Sequence, residues 1–134
     1  MSLDIHERDR EGIAILDLDG RLTVGAEMAK YRETMQKLVD AGKRSVIVNM
    51  EKVDYVDSTG LGAMVMTYTT MQKAGGKMKL LNLTRRSIEL LVMTKLTTIF
   101  EVFADEQDAV NSFFPGREIK QFDILEFVKA QKQG

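Results

Sequence analysis

The sequence predicts an α/β domain: a mixed, mostly parallel sheet of four to five strands flanked by helices, followed by a C-terminal helical appendage. Three observations predict it. Strand-like apolar runs alternate along the chain with segments of helical apolar period, the order that builds right-handed βαβ crossovers. Ser45 to Met50 (Ser-Val-Ile-Val-Asn-Met) is a nearly unbroken β-branched run, as a strand covered on both faces requires. The length of 134 residues, 44% hydrophobic and 29% charged, suffices for one compact core but not for two domains.

The elements follow in order. Leu3 to His6 and Ile13 to Leu18 read as a strand pair across the polar cluster Glu7 to Gly12, the second strand ending at Gly20. From Val24 to Ala41, the residues Met28, Tyr31, Met35, Leu38 and Val39 recur at helical spacing, with Thr23 the candidate N-cap and Gly42 in the C′ position. Ser45 to Met50 is the central strand. Leu61, Met64, Val65, Tyr68 and Met71 mark a second helix closed by Ala74-Gly75-Gly76. Met78 to Leu83 is then a strand, Arg85 to Met93 a helix, Phe100 to Phe103 a short strand and Asp105 to Phe113 a helix.

Pro115-Gly116 is the only proline-containing break, and it divides a domain over residues 1–114 from an extension over residues 115–134. On a helical wheel Phe122, Leu125 and Val128 share one side, widened by Ile124 and Phe127, so a solitary helix there would leave much apolar surface wet. The favoured expectation is packing against its own domain. The alternative is a homodimer contact.

Composition excludes several function classes. Nineteen Lys and Arg against twenty Asp and Glu give a net charge of −1, without the basic footprint that a nucleic-acid backbone demands. There is no cysteine and one histidine, which removes thiol chemistry, disulfides and Cys- or His-built metal sites. No apolar run approaches the roughly 18 residues of a membrane span, and Met1 to Arg10 is too charged for a signal peptide. The expectation is a cytoplasmic protein with no membrane insertion and no nucleic-acid partner.

One dense polar cluster stands at the carboxyl end of the central strand: Asp54-Tyr55-Val56-Asp57-Ser58-Thr59-Gly60-Leu61-Gly62. In open α/β sheets ligands and partners meet the protein at this edge. Ser58 stands where the loop turns into the helix, so its hydroxyl is placed to cap the first turn, and Gly60 and Gly62 remove bulk there. The bland reading is an ordinary Asp or Ser cap with glycines for close helix packing. Neither a P-loop nor a complete GxGxxG is present, and Ser58 lacks both a nucleophile elbow and a nearby base, since His6 lies in the first strand. Asp54 and Asp57, as loop carboxylates, are better explained as capping and dipole partners than as a Mg²⁺ site, so neither a metal nor a catalytic residue is expected.

The stretch Val53 to Gly62, with Asp57-Ser58-Thr59-Gly60-Leu61-Gly62 at its heart, resembles the signature of the STAS domain of bacterial anti-sigma factor antagonists. Gly20-Arg21-Leu22-Thr23, Val46 to Met50, Gly75 to Leu80 and Ile99 to Ala109 fall in that family's order, so the resemblance covers about residues 3 to 114. It implies a phosphorylation-controlled binding module that is not itself an enzyme and uses no cofactor. Ser58 matches the position that an anti-sigma factor serine kinase phosphorylates. The unphosphorylated form binds that kinase and frees a sigma factor, the phosphorylated form lets go, and a serine phosphatase restores it. STAS domains also serve as scaffolds in stressosome-like assemblies and as accessory subunits of lipid-transport ATPases, which is the alternative. Thr23 stands where many members carry an acidic residue, and the segment from Arg117 lies beyond the usual domain length.

The residues expected at the partner surface are Thr23, Asp54, Asp57, Ser58, Thr59, Gly60 and Gly62, together with Met66 and Thr69. On the helix after Ser58, Leu61, Met64, Val65, Tyr68 and Met71 point inward while Gly62, Met66, Thr69 and Lys73 form the opposite stripe. A phosphate at a helix N-terminus is tolerated by the unpaired N–H groups of the first turn, whereas added charge beside Asp54 and Asp57 damages a docked interface.

Overall fold

A computed structural model describes residues 3–133 as one five-stranded sheet in the order β1-β2-β3-β4-β5. Met1, Ser2 and Gly134, the ends of the two predicted segments, lie outside the described residues. The elements are β1 (Leu3–Arg10), β2 (Ile13–Leu22), α1 (Ala26–Asp40), β3 (Ser45–Val56), α2 (Ser58–Lys73), β4 (Lys77–Leu81), α3 (Arg85–Met93), β5 (Val102–Phe103), α4 (Glu106–Asn111) and α5 (Ile124–Gln133). β1 pairs antiparallel with β2, and every other neighbouring pair is parallel. β3 occupies the middle of the sheet, as its apolar run predicts.

Two strand boundaries differ from the sequence reading, and both matter for the site. β1 runs on to Arg10 because Glu11 (φ 54) and Gly12 (φ 84) make a two-residue turn with both φ positive, the geometry that matches the twist of a tight hairpin. β3 continues six residues past Met50 to Val56, and β2 continues past Gly20 to Leu22. These two overruns pair with each other through Asp19↔Lys52, Gly20↔Val53, Arg21↔Tyr55 and Leu22↔Val56, with register shifts on either side of Asp19 to Gly20. The result is a two-stranded ribbon that projects beyond β4, whose last pair is Asn49↔Leu81. Asp54 therefore belongs to a strand and not to a loop.

The main core lies on one face of the sheet. Leu16, Leu18, Val46, Val48, Met50 and Leu80 meet Tyr31 and Met35 of α1, Leu61, Met64 and Met71 of α2, and Ile88 and Leu91 of α3. The Tyr31 hydroxyl and the Thr67 hydroxyl share a buried hydrogen bond of 2.7 Å between α1 and α2, and burial pushes the phenol well above its ordinary pKa. On the other face a smaller cluster of Ile13, Ile15, Ile47, Leu81 and Phe103 is covered by Ala109 and Val110 of α4. β5 is shorter than predicted: only Val102 and Phe103 pair with β4, and Phe100 packs into the main core ahead of the strand.

α4 is fastened by charge. Glu106 accepts from Arg8 (3.0 Å from Nη1 to Oε2, with a second contact from Nη2 to Oε1) and from Arg10 (2.6 Å), while Arg8 also bonds Asp17 at 2.7 Å. The Arg8 guanidinium, with help from Arg10, holds the Glu106 carboxyl at a pKa of about 2, although partial burial opposes this. A depressed carboxyl pKa adds stability that is fully present above its unfolded value of about 4.3 and disappears as pH falls towards 2. Urea midpoints measured from pH 5 to pH 2.5 are expected to fall more steeply for the wild-type chain than for Glu106→Gln.

Candidate partner-binding site

Because Leu22 and Val56 end the ribbon in register, the loop after β2 and the loop after β3 leave the sheet side by side. Asp57 ties them together. Its backbone N–H donates to the Leu22 carbonyl (3.3 Å), one carboxylate oxygen accepts from the Val24 N–H (3.2 Å) and the other accepts from the Gly60 N–H (2.7 Å). With φ −90 and ψ 179, Asp57 is the extended residue that precedes the first turn of α2 and caps it.

Of the Asp or Ser cap that the sequence allows, the Ser58 cap is thereby corrected. Asp57 fills that role, and Ser58 is the first helical residue, exposed and taking no part in the cap. Asp57 wins because a carboxylate one residue earlier reaches both the Gly60 and the Val24 N–H, which a hydroxyl on Ser58 has no geometry to do. Thr23 is corrected in the same way: α1 begins at Ala26 after Gly25, whose φ of 111 needs glycine, and no side chain caps it. Thr23 lies half-buried between Leu22 and Val24, on the rim beside the Ser58 loop.

The two motif glycines separate by function. Gly60 is buried, and a Cβ placed on it would collide with the Leu22 carbonyl, standing 2.9 Å from that group's carbon and 3.1 Å from Val56 Cγ1. It lets α2 close onto the end of β2 and offers no contact surface, contrary to its place among the expected partner residues. Gly62 is exposed with open space where a Cβ would be. Thr59, Met66, Thr69 and Lys73 are exposed along the same side, whereas Leu61, Met64 and Met71 are buried and Val65 and Tyr68 half-buried. The Thr69 hydroxyl is turned back onto the Val65 carbonyl at 3.0 Å, so Met66 is the main projection of the stripe. Asp54 is exposed on the ribbon.

Two residues of this rim escape sequence reading. Val24, which looks like the first residue of α1, is 68% exposed and held beside Asp57; Tyr55, on the ribbon, is 43% exposed. With Met66, 55% exposed two turns along α2 from Ser58, they make three exposed large apolar side chains: two on β3 and α2, which meet at the Ser58 turn, and one on the loop tied to it through Asp57. The signal for Val24 was the following Gly25, which delays the helix.

The chemistry open to this rim is limited. Among the described residues no three His, Asp or Glu side chains converge as a metal site. The chain's one histidine, His6, lies on edge strand β1 opposite Asp17, so the chain offers no imidazole base to Ser58. No described helix is long and apolar enough to cross a membrane. An exposed hydroxyl on a rigid cap, flanked by apolar side chains, suits a surface that a macromolecule reads.

Replacing Asp57 by alanine removes the cap and the loop tie together. The expected cost is about 1 kcal/mol in urea unfolding, with faster hydrogen exchange at the Gly60 and Val24 amides and with α1 and α3 protection unchanged.

Comparison with known proteins matches this architecture. The curated relatives include the anti-sigma-B factor antagonist of Bacillus subtilis, 30% identical over 110 residues, covering 82% of this chain and 99% of the relative. The antagonist of the same name from Staphylococcus aureus (strain NCTC 8325 / PS 47) is 28% identical over 102 residues, covering 76% and 94%. Similar folds include an anti-sigma factor antagonist from Mycobacterium paratuberculosis (TM-score 0.70, 16% identity, 82% of this chain and 92% of that one). Bacillus SpoIIAA in its phosphorylated form is similar as well (TM-score 0.64, 18% identity, 83% and 98%). The STAS domain family model matches residues 4–109, and the chain belongs to the STAS domain family.

Proposed function

We propose that this chain is an anti-sigma factor antagonist. In its unphosphorylated form it binds an anti-sigma factor serine kinase through the rim of Thr23, Val24, Asp57, Ser58 and Thr59 and the Gly62–Met66–Thr69 stripe, and so releases a sigma factor. The observation that carries this reading is the division of labour between neighbours: Asp57 does the capping, which leaves the Ser58 hydroxyl exposed and free of structural duty. The names of the relatives and the existence of a phosphorylated form of a similar fold support it.

The phosphoryl step belongs to the partner. Ser58 Oγ attacks the γ-phosphorus of ATP, the bond to ADP breaks, and the hydroxyl proton passes to a base of the kinase. The ester adds about −1.5 to −2 charges at the first turn of α2, where backbone N–H groups soften its effect on the fold. Release follows from desolvating that charge against an apolar docking surface. A serine phosphatase hydrolyses the ester and returns the binding form.

The test is intact-mass analysis with site mapping after incubation with candidate partner kinases and ATP. One phosphate confined to Ser58, and absent in Ser58→Ala, is the expected result. A folded chain that no neighbouring kinase modifies, yet which elutes in a large stable assembly, favours the scaffold or transport-accessory reading instead.

A further inference from the structure

We propose that the outer edge of β5 is a self-association surface, and that residues 117–133 are a built-in strap that keeps it closed against a second copy of this chain. The two edges of the sheet are protected differently. β1 carries Asp4, Glu7, Asp9 and Arg10 along its length, and charge on an edge strand discourages pairing with another edge. β5 is only Val102-Phe103, with no charge of its own. The β4 amides of Leu80 and Asn82 take the carbonyls of Glu101 (3.0 Å) and Phe103 (2.9 Å), so the Val102 carbonyl turns away from the sheet. There the Phe122 N–H takes it at 2.9 Å, as an incoming strand would.

The side chains of the strap complete the cover. Ile124 is 7% exposed within the main core, and Phe122, Phe127 and Val128 pack against that core, with the two phenyl rings 5.6 Å apart. Upstream, the Arg117 guanidinium forks onto Glu11 at 3.0 and 3.2 Å and lies 4.1 Å over the Phe114 ring. Between these anchors residues 118–121 are exposed and lack regular structure, and clefts of about 540 and 490 Å³ flank Phe122 and Asp123. The strap is a separable arm, seated at one point on the edge and tied at another.

When the arm lifts, the Val102 edge and the apolar groups around Phe100 are bared together. A second copy is the fitting occupant. Its β5 edge presents the same outward main chain and the same apolar flank, so a two-fold pairing satisfies both at once. This use of the α5 face within its own chain is the favoured expectation for the extension and leaves the alternative, a dimer through that face, without its surface, so a monomer is predicted for the intact chain.

The experiment uses the full chain. Ile124→Glu should displace the arm, read as faster tryptic cleavage at Lys120, and light scattering should then show a mass rising with concentration from 15.1 kDa towards twice that value. Wild type stays at 15.1 kDa. The chain has no cysteine, so a cysteine pair placed at Glu101 and Gln121, whose side-chain ends meet at 3.2 Å, can be joined by a short bis-maleimide crosslinker to tether the arm. Adding that tether to Ile124→Glu should restore the monomer. Where Ile124→Glu loses its helical circular dichroism, Phe122→Ala serves with the same readouts. An arm that remains in place in both variants, a displaced arm with unchanged mass, or a wild-type dimer that the tether leaves intact would overturn the proposal.

Discussion

Ser58→Glu is expected to bind the partner kinase about 100-fold more weakly than the unmodified chain, while Ser58→Ala binds as tightly as wild type and accepts no phosphate. The asymmetry comes from position. Ser58 makes no contribution to the cap, so removing its hydroxyl costs the fold nothing. Adding a carboxylate places a second negative group beside Asp57 on a turn that has no cation of its own. In the free chain water and the first-turn N–H groups screen that charge, whereas in a complex it must be desolvated against Val24 and Met66. Titration calorimetry with the kinase gives the affinities, and thermal melts of the three free chains should agree within a few degrees. If Ser58→Glu binds as wild type does, the switch is not at this residue.

Gly60→Ala is expected to destabilise the fold by about 3 kcal/mol or more, and Gly62→Ala to leave it unchanged or raise its stability by about 0.5–1 kcal/mol. Both glycines lie in the first two turns of one helix, and both have ordinary helical backbone. The difference is what faces them. A methyl group on Gly60 meets the Leu22 carbonyl and Val56 Cγ1, which belong to paired strand ends and have nowhere to go; on Gly62 it meets solvent. Urea unfolding of the two variants separates the cases. The Gly62 position should respond instead in binding, since a side chain there stands on the stripe that Met66 leads. Equal stability of the two variants would refute the close contact between α2 and the end of β2.

Much of this was legible beforehand, because it depends on local period. The alternation along α2 sorted Leu61, Met64 and Met71 from Gly62, Met66 and Thr69, and the run of Ser45 to Met50 marked the sheet's centre. A short motif was also enough to point to the family. The capping residue was not legible, because Asp57, Ser58 and Thr59 are all good capping types and a helix start is uncertain by one residue on sequence grounds. Thr23 failed for a related reason: its side chain suits a cap, but the backbone turn that α1 needs is made by Gly25.

The sequence by itself determined the fold class, the order of elements, the inward faces of α1 and α2 and the place of Ser58 at the end of the central strand, whereas Leu125, read as part of the apolar side of α5, is 66% exposed. These follow from side-chain period and turn chemistry, which act over a few residues. Only the tertiary structure decided the rest. The pairing of the two strand overruns brought Val24 against Asp57, across 33 positions of chain, and made a buried spacer of Gly60 and an open one of Gly62. The extension likewise carried an apolar arc that any partner could have covered. It lies on its own β5 because the Val102 carbonyl and the gap beside Phe100 offered it a hydrogen bond and a core at once. Such choices rest on which distant groups arrive together, and no local pattern encodes that.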